Sequence, residues 1–276
     1  MDEQTNNFTD DLYIPKVSII TVCFNSICTI TDTIESVIHQ SYPNIEYIIV
    51  DGYSTDGTVD IIKKYEKNIV KWVSEPDKGI YDAMNKGIRM ATGEIVGIIN
   101  SDDYYVDSDT VSSIMTAYKA NHNADIIYGD VKYLDLDKGI TYINKSLDDP
   151  SKFRFGTMPI CHPATFVTMK TYNDIGLFNE RFRNSSDYEF ILRCIRRGKR
   201  FVKVNKVLTA MRSGGASTNY LKTFSETRDI NLMYGCSVFI AWSAFIKSVI
   251  KTILVNIFGK NKLLTWMYSR HKTNTN

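Results

Sequence analysis

Residues 95–103 read Ile-Val-Gly-Ile-Ile-Asn-Ser-Asp-Asp, a five-residue apolar run followed, after Asn-Ser, by two adjacent acids. A short apolar, β-branched run of this kind suits a strand buried on both faces. Working back toward the N-terminus, Ile45–Val50 (IEYIIV) is a second such run, and it opens into the dense turn cluster Asp51-Gly52-Tyr53-Ser54-Thr55-Asp56-Gly57. Val17–Cys23 (VSIITVC) is a third, and Ile69–Ser74 a fourth strand. Helical patterns lie between them: Ile27–Gln40, with apolar residues at 30, 34, 37 and 38, then Thr58–Tyr65, then Ile80–Ala91, which Gly93 is expected to close. Strand and helix alternate roughly every 25 residues through position 100. That alternation predicts an α/β fold, a Rossmann-like, mostly parallel sheet flanked by helices. Further on, the pattern predicts a helix over Asp109–Asn121, a strand over Asp125–Leu134, a hairpin near 139–145, a strand near 162–168, a helix at 186–197 and a strand at 201–209.

The strand ends decide where chemistry belongs. In an open α/β sheet, ligands bind beyond the carboxyl ends of the strands. Those ends supply Thr21 to Asn25, Asp51, and Asn100 to Asp103. None of them carries a Gly-x-Gly-x-x-Gly or another Gly-rich phosphate loop. A phosphate site without such a loop needs a cation to neutralise its charge, and all-oxygen ligation by adjacent carboxylates suits Mg²⁺ or Mn²⁺. An acidic surface turn is the plain alternative for an Asp pair.

Charge is unevenly spread. The net charge is +2, yet residues 230–276 hold no acid and six bases, Lys247, Lys251, Lys260, Lys262, Arg270 and Lys272, leaving 27 bases against 31 acids in the first 229 residues. A mildly acidic body with a basic end argues against a nucleic-acid binder, whose basic patch belongs on the folded domain. Residues 236–258 are nearly all apolar but broken by Lys247 and Lys251, a pattern for an amphipathic helix lying at a membrane surface more than for one crossing it. Trp266 and Tyr268 suit the headgroup level. Self-packing or a homodimer is the alternative for that stretch. The five cysteines have no zinc-ligand spacing, and Met1–Tyr13 has no signal-peptide pattern, so a cytoplasmic location is expected, peripheral on the inner face of the cell membrane.

Six ordered stretches carry a resemblance: Val17–Asn25 (VSIITVCFN), Ile45–Thr58 (IEYIIVDGYSTDGT), Ser74–Gly87 (SEPDKGIYDAMNKG), Ala91–Asp103 (ATGEIVGIINSDD), His162–Phe166 (HPATF) and Ser186–Arg193 (SDYEFILR). Together they resemble the motifs of family 2 glycosyltransferases with the GT-A fold, most of all the bacterial branch that builds O-antigen and capsular polysaccharide. The resemblance spans about residues 15–215. It implies a GT-A catalytic domain over 15–217, which leaves a lead-in over 1–14 and, from its composition, a helical, basic, possible membrane-associating region over 218–276. The implied reaction is transfer of a sugar, with inversion, from a nucleoside-diphosphate sugar to an acceptor hydroxyl, with a lipid-linked saccharide as acceptor.

Roles follow by position. Thr21, Phe24 and Asn25 would line the nucleoside pocket, and Asp51 would face base or ribose. Asp77, Lys78 and Gly79 match the loop over nucleoside and pyrophosphate. Asp102 would bond ribose or donor sugar, Asp103 would ligate the metal, and Asp187 matches the catalytic base. A UDP-sugar is favoured, but many relatives carry a second acid after Asp51, where this chain has Gly52 and Tyr53. One base opposite the leaving group gives a single displacement. Glu189, two residues on, would point elsewhere on a helix and is a poor second partner. Plain alternatives stand beside these roles: Asp187 as a first-turn helix acid, Arg193 and His162 as structural partners, Asp56 as a turn support, and Arg212–Ser217 as a linker instead of a lid over pyrophosphate. Two other classes share such a core, a nucleotidyltransferase and a non-catalytic nucleotide-sugar-binding protein. The first calls for a basic Gly-rich loop after the first strand, where Cys23-Phe24-Asn25-Ser26 stands, and the second for loss of Asp103 or Asp187, both present.

Overall fold

The computed structural model describes residues 13–121, 124–135, 139–156, 158–213 and 220–258. They group into two compact units, one within residues 1–153 and 158–215, the other within 154–157 and 216–276. Most of the expected lead-in, the Gly214–Ser217 part of the expected lid, and the end of the tail from 259 lie outside the described residues.

The first unit contains strands β1 (Val17–Cys23), β2 (Ile45–Asp51), β3 (Lys71–Ser74), β4 (Ile95–Asn100), β5 (Tyr104–Tyr105), β6 (Ile126–Asp135), β7 (Ile140–Asn144), β8 (Thr165–Thr168) and β9 (Phe201–Arg212). Its helices are α1 (Ile30–Ile38), α2 (Thr58–Lys64), α3 (Ile80–Met90), α4 (Thr110–Ala120), α5 (Met169–Ile175) and α6 (Ser186–Arg196). The sheet order is β3-β2-β1-β4-β8-β6-β9-β5, with β7 on β6. β1 to β4 are mutually parallel. β8 runs against both β4 and β6, so β6 and its parallel neighbour β9 point the same way as the first four strands. The sheet is thus mostly parallel, with β5, β7 and β8 reversed.

Every side chain of β1 is buried, which explains its unbroken apolar run. Ile19 joins Ile30, Ile34, Val111 and Ile114 on the face covered by α1 and α4. Ile20 and Val22 join Tyr81, Met84, Ile88, Phe190 and Ile191 on the face covered by α3 and α6. Burying each such side chain contributes about 1.5–3 kcal/mol. Contrary to the expectation from sequence, Gly93 does not close α3. The helix ends at Met90 with an extended Ala91. A Cβ at position 93 would stand 2.6 Å from the Ser18 backbone nitrogen, so Gly93 is there to let the chain approach β1.

Register sets the site. Cys23 pairs with Asp51 and Val22 with Asn100, so β1, β2 and β4 end together. β8, running the other way, begins at that same edge, since Phe166 pairs with Gly97. β9 ends there too, because Tyr104, next to Asp103, pairs with Ala210.

The second unit holds α7 (Tyr220–Met233) and α8 (Val238–Phe258). Arg228 of α7 stacks 4.4 Å over the Trp242 ring and 5.3 Å from that of Phe245, both on α8. Among the described residues no helix is long and apolar enough to cross a membrane.

Candidate active site

At the end of β1 the Phe24 ring is 62% exposed. Asn25 follows in the left-handed region (φ 48°); its N–H donates to Ser54 Oγ (2.7 Å) and its Oδ1 accepts from the Thr55 N–H (3.0 Å). Tyr53, also left-handed (φ 70°), is exposed. Non-glycine residues rarely adopt that conformation, and the first and second strand-end loops brace each other through these bonds to keep it. Asp56 accepts from the Ile27 and Thr58 N–H groups and the Thr58 hydroxyl, which makes it a turn support.

Two expected nucleoside contacts turn inward instead. Thr21 is fully buried, its hydroxyl 3.0 Å from the Tyr47 hydroxyl; strand alternation aims it at the α1 layer, two residues short of the edge. Asp51 is fully buried as well. Its carboxylate accepts from the Ser54 N–H (3.0 Å), Ser54 Oγ (2.5 Å), Ser74 Oγ (2.6 Å) and Cys23 Sγ (3.4 Å). With every lone pair engaged, it ties three loops together and does not face base or ribose.

The acid that does stand over this turn is Asp77. A Cβ built on Gly52 would lie 2.4 Å from Asp77 Oδ2 and 3.4 Å from the Phe24 ring. Asp77 Oδ1 accepts from the Gly79 N–H (2.8 Å), and Asp82 accepts from the Lys78 N–H (3.0 Å), folding the Asp77–Gly79 loop onto the start of α3.

At the end of β4, Asp103 is 1% exposed. It faces the Arg212 N–H (3.3 Å) and the Asn100 amide (3.4 Å), while the Thr33 hydroxyl bonds its backbone carbonyl (2.6 Å). Burial, with the neighbouring Asp102 charge, pushes its carboxyl well above the usual range, and burial raises Asp102 too. The Arg212 guanidinium bonds the Asp102 carbonyl (3.4 Å), pairs with Asp32, and stacks 4.9 Å over Tyr104. Asn100 Oδ1 is buried and meets no partner in the described structure.

Asp187 sits in the first turn of α6. Its Oδ1 accepts from the Tyr81 hydroxyl of α3 and from the Tyr188 N–H, both at 2.8 Å. His162, just before β8, senses the same carboxylate: burial lowers its pKa, and the charge of Asp187 partly restores it. Its Nε2 is buried with no partner in the described structure. Phe178 packs between these groups, 5.5 Å from Tyr81, 5.8 Å from His162 and 5.2 Å from Phe190. Glu189 is committed elsewhere. It is 2% exposed and pairs with Arg193 (3.0 Å), whose guanidinium also donates to the Ile175 and Leu177 carbonyls. Tyr81 is the residue that sequence reasoning passed over, and Asn100, placed at a strand end by sequence, was given no role there. Tyr81 stands two places after Gly79 within Ser74–Gly87, which is the signal that could have found it.

The profile of Glycosyl transferase family 2 matches residues 18–176, more than half of the chain. This chain belongs to that family. A PGL/p-HBAD biosynthesis glycosyltransferase of Mycobacterium bovis is 30% identical over 183 residues, covering 65% of this chain and 70% of that protein. The chondroitin synthase of Escherichia coli is 26% identical over 196 residues, covering 70% of this chain but 28% of the synthase. Among solved structures, S. aureus TarS 1-349 in complex with UDP-GlcNAc superposes with a TM-score of 0.64 at 18% identity, covering 85% of this chain and 71% of that one. The mannosyltransferase PcManGT of Pyrobaculum calidifontis, in complex with GDP-Man and Mn²⁺, superposes with a TM-score of 0.61 at 17% identity, covering 94% and 81%. This chain spans 43% of a longer TarS chain. The fold is therefore GT-A, and the chain is a family 2 glycosyltransferase.

Proposed function

We propose that this glycosyltransferase moves a sugar from a nucleoside diphosphate, a UDP-sugar in the first instance, to an acceptor hydroxyl with inversion. Asp187 is the base. The observation that carries this is its isolation: among the described residues Oδ1 alone of its carboxylate accepts hydrogen bonds, and the one other acid of that helical turn, Glu189, is locked to Arg193. A double displacement needs a second, nucleophilic carboxylate. A single displacement needs one group to take the acceptor proton as the new bond forms.

The exposed Phe24 ring offers a face for the base, with Asn25 beside it and Asp77, Lys78 and Gly79 over it. Asp51 shapes this turn from below, and Thr21 supports it from within the sheet. Asp102 is the partner for ribose or donor sugar, and Asp103 is the metal ligand.

The donor set fits a divalent cation. Asp102 and Asp103 are adjacent carboxylates whose burial disfavours their charge, and Asn100 adds a buried oxygen without a partner. A cation held by the two acids would offset the charge that burial disfavours on them. No cluster of three His, Cys, Asp or Glu is present among the described residues, and few protein ligands suit Mg²⁺ or Mn²⁺, which keep positions for water and phosphate oxygens. Bound there, such an ion would stabilise the negative charge of the departing diphosphate. Arg212, against the same acids, adds a fixed positive charge.

Residues 15–217 form the catalytic domain in this proposal, and 218–276 hold it on the inner face of the cell membrane. The acceptor is a lipid-linked saccharide of the O-antigen or capsule type. Support comes from the exposed apolar side chains of α8 and from the acid-free, basic sequence of that end.

The test is thermal stabilisation and hydrolysis across a panel of UDP-, GDP- and dTDP-sugars, with Mn²⁺ and with EDTA. At least one sugar nucleotide should stabilise the protein in Mn²⁺ and lose that effect in EDTA. Binding indifferent to chelation would reject the metal-assisted mechanism.

A further inference from the structure

Tyr81 and Asp187 stand 106 residues apart in sequence, yet their side chains share a 2.8 Å hydrogen bond. Tyr81 lies in the first turn of α3, two residues beyond Gly79, the last residue of the proposed donor loop. Asp187 lies in the first turn of α6. We propose that Tyr81 is a positioning residue: its hydroxyl holds Oδ1 of Asp187, so that Oδ2 alone takes the acceptor proton, and it ties the setting of the base to the setting of the donor loop. This rests on Asp187 being the base.

The chemistry of the pair is asymmetric. The Tyr81 O–H and the Tyr188 N–H both donate to Oδ1, and no described residue donates to Oδ2. In transfer, the acceptor oxygen bonds to the anomeric carbon, its proton passes to Oδ2, and the anomeric carbon–phosphate oxygen bond breaks with its electron pair leaving on the diphosphate. Tyr81 keeps its own proton throughout. By donating to Oδ1 it fixes the plane of the Asp187 carboxylate.

The surroundings hold this arrangement rigidly. Tyr81 is 7% exposed and its ring packs against Phe178. Asn85, one helical turn on from Tyr81, grips the Phe178 backbone with both side-chain atoms: Nδ2 donates to its carbonyl (3.0 Å) and Oδ1 accepts from its N–H (3.0 Å). On the other side, Asp77 and Asp82 cap the donor loop onto α3. A shift of that loop as it closes over a donor would therefore move Tyr81 and, through it, the base.

The experiment is Tyr81→Phe, which removes the hydroxyl but keeps the ring. The side-chain carboxyl carbon of Asp187 is followed by ¹³C NMR in the free protein across pH, its signal assigned by its absence in Asp187→Asn. Loss of one of the two donors to Oδ1 should move the midpoint upward. An unmoved midpoint overturns the proposal. Turnover is read as nucleoside diphosphate released from the sugar-nucleotide panel. Tyr81→Phe should lower kcat about tenfold, leave donor KM in place, and shift the acid limb of the kcat profile upward. In the Asp187→Asn background it should add nothing, whereas a further equal loss there would mean Tyr81 acts independently and also overturns the proposal. Asp187→Asn with full turnover rejects the base itself. That outcome is separate, because the NMR titration still decides whether Tyr81 governs Asp187.

Discussion

Oδ2 of Asp77 occupies the place that a side chain on residue 52 would fill, 2.4 Å from where the Cβ of Gly52 would stand. Gly52 thus leaves room for the Asp77 carboxylate to stand over the turn that follows β2. The crowding atom is the tip of a side chain, so Gly52→Ala should fold normally and push Asp77 aside. We expect UDP affinity in Mn²⁺, measured by calorimetry, to fall about tenfold, the worth of one charge-assisted hydrogen bond. Unchanged affinity would remove Asp77 from the donor site.

Asp187→Asn should keep the Tyr81 bond, since the amide oxygen still accepts, and should keep donor affinity. A neutral amide cannot take the acceptor proton, so turnover should drop by about 10²–10⁴. Donor binding and product release measured on one preparation separate the two effects. Near-normal release would reject Asp187.

β1, β2 and β4 were legible because each is almost wholly buried and so is written as a mainly apolar run, whereas β3 is a half-buried edge strand. β5 and α5 were not legible. β5 has two residues, and α5 is a seven-residue helix whose start rests on Thr168 accepting from the Thr171 N–H. At the site, position along the chain was readable but direction was not. Thr21 and Asp51 lie where the motifs put them, yet alternation turns one toward Tyr47, and two serines, one from β3, engage the other. The Tyr81–Asp187 bond joins two helices that only the fold brings together.

Asp103→Asn should separate stability from function. The buried carboxylate resists charge, so a neutral amide in its place relieves the cost of burial when no cation is present. In EDTA the variant should melt higher, each kcal/mol relieved being worth about 2–4 °C for a domain of this size. In Mn²⁺ it should lose the metal-dependent gain in donor affinity. A variant that keeps that gain places the ligand elsewhere.

Glu46 makes an acid-sensitive clamp. Burial would raise its pKa, but bonds from Ser18, the Thr92 N–H, Lys71 and the Thr92 hydroxyl outweigh that and hold it at about 2. A carboxyl depressed in the folded state stabilises the protein above its unfolded pKa, and that contribution is lost as pH falls from about 4.5 toward about 2. Glu46→Gln should cost on the order of 2 kcal/mol at pH 7 and little near pH 2. Denaturant melts at both values check the sign. An equal loss at both would mean that packing, not charge, is what the clamp provides.

Phe239, Trp242, Ile246, Ile250 and Ile253 are spaced by three and four residues, which lines them along one stripe of α8, and each is 44–83% exposed. Exposed Lys247 flanks that stripe. An apolar stripe beside a basic flank, on a segment with no acids, matches the boundary of an anionic bilayer, where rings enter the acyl region and ammonium groups meet phosphates. The full chain should therefore sediment with phosphatidylglycerol vesicles, bind phosphatidylcholine vesicles far less, and release as salt rises. Phe239→Ser with Trp242→Ser and Ile246→Ser should abolish sedimentation while sugar-nucleotide binding persists. If the triple variant instead turns a dimer into a monomer in ultracentrifugation and vesicle binding never occurred, the stripe belongs to a second copy of the chain and the membrane assignment falls.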